Sequence, residues 1–209
     1  METRSVRLRR AFSEASRFVM DLADGIDESR WGDPGVGDWT VAELCVHISR
    51  AGSTISDYAA EPAERTVMSS TDYYLVVLAD ASIHSAVAER TKAQAAEVSE
   101  PIPEFLRSVF EQAEQTMQRT PSSAVLGSRA GGITLEDYLP TRVTELVVHG
   151  IDLADALGCE PEVPATAMAV TLETLADLSM HRPDVLAPAD VVRALTGRGN
   201  LPDATNVLG

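Results

Sequence analysis

The chain contains four histidines, His47, His84, His149 and His181, few enough for each to be weighed. One of them stands in a run that spaces five chemical groups regularly: Tyr138, Arg142, Glu145, His149 and Asp152. At about 100° per residue on a helix, these side chains fall within a wedge of roughly 80°. Glu145 and His149 are four apart, so they meet on one side of adjacent turns. A carboxylate and an imidazole at that spacing can chelate one borderline divalent metal such as Zn²⁺. The same pair is also a common stabilising contact on a solvated helix face. Spacing alone leaves both readings open.

A metal at that pair would call for a third ligand from a facing helix. His47 is the best candidate, at the border of an apolar arc made by Val41, Leu44, Ile48 and Ile55. His84 and His181 have no partner at chelating spacing and read as surface or helix-end residues. Arg142, one turn before Glu145, either pairs with it or binds a substrate carboxylate. Asp152, three residues after His149, either accepts from the imidazole or faces solvent. Arg129 and Arg198 are alternative sources of positive charge, one in a long loop and one in the tail. Cys45 is two residues from His47, on nearly the opposite helix face, and reads as a small core residue. Trp39 reads as a staple that fixes the start of its helix to the core. Gly131 and Gly132 are not a phosphate loop, because no Gly-Lys-Ser/Thr follows.

The elements that must position these groups read as helices, with Ala, Leu, Glu and Arg recurring at spacings of three and four. A first helix is expected from about Ser5 to Ile26, ended by a Gly/Pro/Asp/Trp loop. A second starts at Thr40, where Thr40 and Glu43 form a capping box, and runs to about Ala60. A third, long helix is expected from about Thr71 to Val98, and a fourth from Pro103 to about Arg119. A loop of about 14 residues follows, a candidate lid or crossover. The fifth helix starts near Thr134 and ends at Gly158; Pro140 suits only its first turn, so a later start or a kink is expected. Two more helices are expected, from about Ala165 to His181 and from about Ala189 to Leu195. The fold class is therefore all-α: an antiparallel four-helix bundle over residues 1–160, with a small helical C-terminal extension over 161–209 packed on it.

Composition removes several function classes. The 209 residues carry 32 Asp plus Glu against 17 Lys plus Arg, a formal charge of −15. That balance disfavours nucleic acid and a polybasic membrane surface as partners. There is no apolar run of about 18 residues to span a bilayer and no signal-peptide pattern. Two cysteines are too few for a disulfide scaffold, so a cytoplasmic location is expected. Apolar positions in the last two helices either cover the bundle or form a homodimer contact.

Two segments carry a family resemblance. Trp39 to Ile48, with Glu43 and His47, is followed about a hundred residues later by Arg142 to Gly158, with Glu145, His149 and Asp152. Together they resemble the mycothiol-dependent maleylpyruvate isomerase N-terminal family, within the DinB-like superfamily of four-helix metal proteins. The resemblance spans roughly residues 5 to 160, and the ending from Arg193 to Pro202 resembles shorter actinobacterial relatives. It implies a DinB-like bundle with His47, Glu145 and His149 as ligands of a divalent metal, and mycothiol as thiol cosubstrate. The isomerase proper is expected to add a C-terminal α/β domain, whereas only about 50 residues follow Gly158 here, read as helical. The implied work is S-transfer or cis/trans isomerisation of a small carboxylated metabolite. A hydrolase in which the metal activates water is the alternative enzyme, with Glu43 or Asp152 as the only evident bases. A non-catalytic metal- or ligand-binding protein is the other.

Overall fold

The computed structural model describes residues 2–61, 63–79, 83–203 and 205–208, with the side chains of all of these except 83–86. Helix α1 (Arg4–Asp24) is followed by a short 3₁₀ turn and then by α2 (Val41–Ala59). The expected capping box is present: the Glu43 N–H donates to Thr40 Oγ1 at 3.2 Å, and the Thr40 N–H donates to Glu43 Oε2 at 2.8 Å. Together they satisfy two of the backbone donors that a helix start leaves open.

The segment expected as one long helix is described as two, α3 (Ser70–Leu78) and α4 (Ile83–Glu97); residues 80–82 between them lie outside the described residues. The two have different partners. α3 packs against α6 (Leu135–Leu157) and α7 (Ala165–His181), whereas α4 packs against α2. One straight helix cannot reach both.

Helix α5 (Ile102–Arg119) closes the bundle. α1 touches α5 and α6, and α2 touches the same two, so the four form a ring in the order α1, α5, α2, α6. Their inward faces bury Phe12, Leu44, Ile48, Ile55, Leu106 and Phe110 almost completely. Phe12 and Phe110 meet edge to face at 6.3 Å between ring centres.

The 14-residue loop expected between α5 and α6 holds a small antiparallel hairpin, β1 (Val125–Ser128) with β2 (Gly131–Thr134), paired from Val125–Thr134 to Ser128–Gly131. It is pinned by the segment ahead of α3, where the N–H groups of Thr66 and Val67 both donate to the Gly132 carbonyl at 2.9 Å. A Cβ at position 132 would run into the Glu64 carbonyl, so this crossing requires glycine. The hairpin leads directly into α6, whose Thr134 Oγ1 accepts from the Asp137 N–H at 3.2 Å. α6 does not start late; it begins at Leu135 and runs through Pro140 to Gly158, which ends it at φ +72°. The missing N–H of Pro140 leaves only one turn of the ladder incomplete near the helix start.

Helix α7 packs on α1, α3 and α6. The Thr71 hydroxyl donates to Asp177, and Arg7 grips Glu173 with two bonds of 2.9 and 2.7 Å. Beyond α8 (Pro188–Leu195) the tail turns back, and Arg182 Nη1 donates to the Val207 carbonyl at 2.8 Å. Leu172, Met180, Val192 and Leu195 on α7 and α8 are exposed. Among the described residues no helix is long and apolar enough to cross a membrane.

Candidate metal centre

The two helices that carry the sequence signals are neighbours in the ring. α2 presents His47 and α6 presents Glu145 and His149, and one ligand atom from each lies within 4.8 Å of the other two. The His47 and His149 rings meet edge to face, 4.7 Å between centres at 86°. His149 Nε2 is 3.6 Å from Glu145 Oε2. Two imidazoles and a carboxylate at this spacing make a donor set that suits a borderline divalent cation and leaves further coordination positions open.

Each imidazole is held from behind. His149 Nδ1 lies 2.9 Å from Asp152 Oδ2, so Asp152 takes the accepting role rather than facing solvent unpaired. His47 Nδ1 lies 3.3 Å from the hydroxyl of Thr91, a fully buried residue of α4. In both rings this leaves Nε2 for a ligand. Trp39 stacks on His47 at 4.6 Å between ring centres, tilted by 34°, so it covers the ligand as well as anchoring the helix start. The Tyr74 hydroxyl is 3.2 Å from the Thr141 carbonyl and 3.5 Å from Glu145 Oε1.

The electrostatics follow from this packing. Burial, joined by the charge of His149, pushes the His47 pKa down to about 3, which keeps that ring neutral and able to bind a metal. Burial works against the charges of Glu145 and His149 as well. Their mutual contact outweighs it, with Arg142 helping the carboxylate and Asp152 the imidazole, so Glu145 is held low and His149 high.

Arg142 does not pair with Glu145 at ion-pair distance. Its Nε donates to Thr141 Oγ1 at 3.0 Å, and its guanidinium lies over the rings of Tyr138 and Tyr73, at 4.8 and 5.7 Å. It is only 7% exposed, and what is exposed faces a cavity of about 570 Å³ that also holds the three candidate ligands. Arg129, at the hairpin turn, lines the same cavity. Arg198 is not brought there: it is exposed, with Nη1 on the Thr196 carbonyl at 3.2 Å. The tail reaches the cavity through Asn206 and Leu208 instead. His181 is exposed at the end of α7, and the His84 side chain lies outside the described residues.

Several lining residues carried no signal in the sequence reading: Tyr58, Tyr73 and Tyr74, and the cations Arg50, Arg90 and Lys92. They lie in pairs on three helices, α2, α3 and α4, so no single stretch of sequence joins them. Neither cysteine is among the lining residues. Cys45 is fully buried, and burial pushes its thiol pKa up to about 12; Cys159 is exposed just past the end of α6. Glu43 is committed to the capping box.

Comparisons with known proteins bear on the fold and the family. No curated protein matches the sequence. Two solved structures are similar: a crystal structure of the mycothiol-dependent maleylpyruvate isomerase, at 15% identity and a TM-score of 0.58, and one of a histidine-to-alanine mutant of the mycothiol-dependent maleylpyruvate isomerase, at 14% and 0.59. Each similarity covers 98% of this chain and 95% of the other. At such identity the likeness establishes the fold. The family model for the mycothiol maleylpyruvate isomerase N-terminal domain matches residues 12–154, from within α1 to the last turn of α6, with His47, Glu145 and His149 all inside. The chain belongs to the mycothiol maleylpyruvate isomerase N-terminal domain family.

Proposed function

We propose that the protein is a metal-dependent enzyme that uses a low-molecular-weight thiol, mycothiol or a close analogue, for S-transfer or cis/trans isomerisation of a small carboxylated metabolite. One observation carries this reading: a three-residue ligand set opens into a cavity that none of the chain's own thiols reaches. A reaction through sulfur here must use a thiol brought in from outside.

With His47, Glu145 and His149 as ligands, a divalent ion, Zn²⁺ by the character of the donors, would supply Lewis acidity that favours the ionised thiol at neutral pH. The chain's residues supply orientation. Asp152 holds the Nδ1 proton of His149, and Thr91 bonds Nδ1 of His47, so both rings present Nε2 to the same point. Trp39 shields one face of His47 from water. Arg142 offers guanidinium N–H groups to a carboxylate on the substrate, placing an adjoining unsaturated carbon towards the triad.

The sulfur lone pair then forms a bond to that carbon as the double-bond pair shifts towards an electron-withdrawing group. Rotation, return of that pair to re-form the double bond and expulsion of the thiolate complete an isomerisation; protonation of the carbanion, by the proton the thiol gave up on ionising, with the S–C bond kept, completes a transfer. Hydrolysis is less well served, because Glu43 caps α2 and Asp152 is engaged by His149.

Metal analysis of the purified protein beside His47→Ala tests the centre, with about one equivalent expected in the parent and a clear loss in the variant. Thermal-shift titration with mycothiol, against other small thiols, tests the cosubstrate. Metal binding without any thiol-dependent shift or turnover would overturn the thiol reading.

A further inference from the structure

The cavity's charge is opposite to that of the chain. Among the described residues, five cations line it, namely Arg50, Arg90, Lys92, Arg129 and Arg142, against two acidic residues, Asp38 and Glu145. Among the described residues no carboxylate lies within 4.0 Å of Arg50, Arg90 or Arg142, although 11 ion pairs form elsewhere in the molecule and around His149. These three come from α2, α4 and α6, and their charges act on one another: Arg50 is disfavoured as a cation by burial first, and then by Arg90 and Arg142. Arg142 is more than nine-tenths buried, and among the described residues its only hydrogen bond uses Nε. No other hydrogen bond engages its guanidinium among the described residues, and the residue lines the cavity.

The Glu145 charge favours the Arg142 cation, but one carboxylate does not offset three arginines, and a ligand that brings further negative charge completes the set. A single carboxylate satisfies one guanidinium bidentately and leaves the charges of the other two unmatched. An oxyanion group of two charges, either a phosphate monoester or a pair of nearby carboxylates, has the charge and the acceptor atoms to bridge all three.

We propose that Arg50, Arg90 and Arg142 form a binding subsite, separate from the metal triad, for a dianionic head group on the substrate. The inference rests on the reading that this cavity is where substrate and thiol meet. It places the reacting carbon between the arginine cluster and the triad, with Tyr58 and Tyr73 along the wall between α2 and α3. It also gives Arg50 and Arg90 a role in selecting the substrate and not only in solvation.

Calorimetric titration of the full chain with inorganic phosphate, malonate and acetate tests the subsite. It is run on chelator-treated protein, so that no bond from the anion to a metal is read, and repeated with metal restored. Phosphate or malonate is expected to bind at least about tenfold more tightly than acetate, the scale of one further charged hydrogen bond. The tighter of the two identifies the head group. Arg50→Gln and Arg90→Gln, neither of them in the buried core, should each remove most of that preference, whereas Arg193→Gln on α8 should not. Arg142→Met is informative only alongside these, because its site is buried.

Equal affinity for acetate and both dianions, or glutamine variants that bind like the parent, overturns the subsite. Its failure is distinguishable from that of the thiol reading. Dianion preference without thiol-dependent turnover leaves the subsite standing alone, and thiol-dependent turnover of monoanions and dianions at equal efficiency leaves only the enzyme.

Discussion

His149 Nδ1 lies 2.9 Å from Asp152 Oδ2, one turn further along α6, and that contact decides which ring nitrogen faces Glu145 and His47. With Nδ1 engaged, Nε2 is the nitrogen left at 3.6 Å from Glu145 Oε2. Glu145, His149 and Asp152 thus form a chain of contacts along one helix. The part furthest from the candidate metal position sets the orientation of the part nearest to it.

Asp152→Ala removes the acceptor while leaving all three ligands in place. Outer partners of this kind are worth about 10- to 100-fold in metal affinity. The variant is expected to fold normally and to bind Zn²⁺ more weakly by that amount, read by competition with a chromophoric chelator. An unchanged affinity would show that packing alone orients His149.

The metal-free protein has a pH dependence of definite sign. Burial opposes the charged form of His149, but its bonds to Asp152 and Glu145 outweigh this and raise its pKa from 6.5 to about 9. A raised pKa stabilises the fold below the unfolded value and loses that contribution as pH climbs through the folded one. Chelator-treated protein should therefore become less heat-stable between pH 6.5 and about 9. Metal affinity should move the other way, because the ion must displace this proton, by up to about tenfold per pH unit. Calorimetric melting and metal competition across that range check both, and a flat metal affinity would mean that His149 is already neutral.

The two cysteines should behave as bystanders. Cys45 is fully buried with its pKa pushed up to about 12, and Cys159 is exposed. One thiol should react with a disulfide reagent in the native protein and two after denaturation. Cys159→Ser should leave thiol-dependent turnover unchanged. Loss of turnover in that variant would place the nucleophile on the chain and remove the need for a cosubstrate.

What could be read in advance follows from how local each signal is. Glu145 and His149 share a helix face at a spacing visible in one line of sequence, and Thr40 with Glu43 announces the start of the helix that carries His47. The arginine cluster could not be read this way, because Arg50, Arg90 and Arg142 meet only once α2, α4 and α6 are assembled. Arg198 shows the reverse case. A cation in the tail invited a role, but the bond from Arg182 to the Val207 carbonyl brings Asn206 and Leu208 to the cavity instead. The hairpin at 125–134 escaped because its strands are four residues each and rich in glycine. The break after α3 escaped because neither proline nor glycine marks it: Ala79 caps the helix, and packing against different neighbours divides the segment.

Gly150 ties the fold to the candidate centre, since it directly follows His149 and lets α6 close on α1. A Cβ there would stand 2.5 Å from the Phe18 ring edge and 3.3 Å from a Val19 methyl, in a fully packed interface. Phe18 has little room to retreat, because it is itself buried at 7% exposure. Gly150→Ala should therefore destabilise the fold by about 1–3 kcal/mol, against the small gain alanine normally gives inside a helix. Relief by a shift of α6 would also move Glu145 and His149 relative to His47 on α2. Metal affinity should then fall together with the denaturation midpoint, whereas a purely local adjustment of Phe18 would lower the midpoint alone. Measuring both in the same variant separates these outcomes, and a variant more stable than the parent would refute the close packing of α1 on α6.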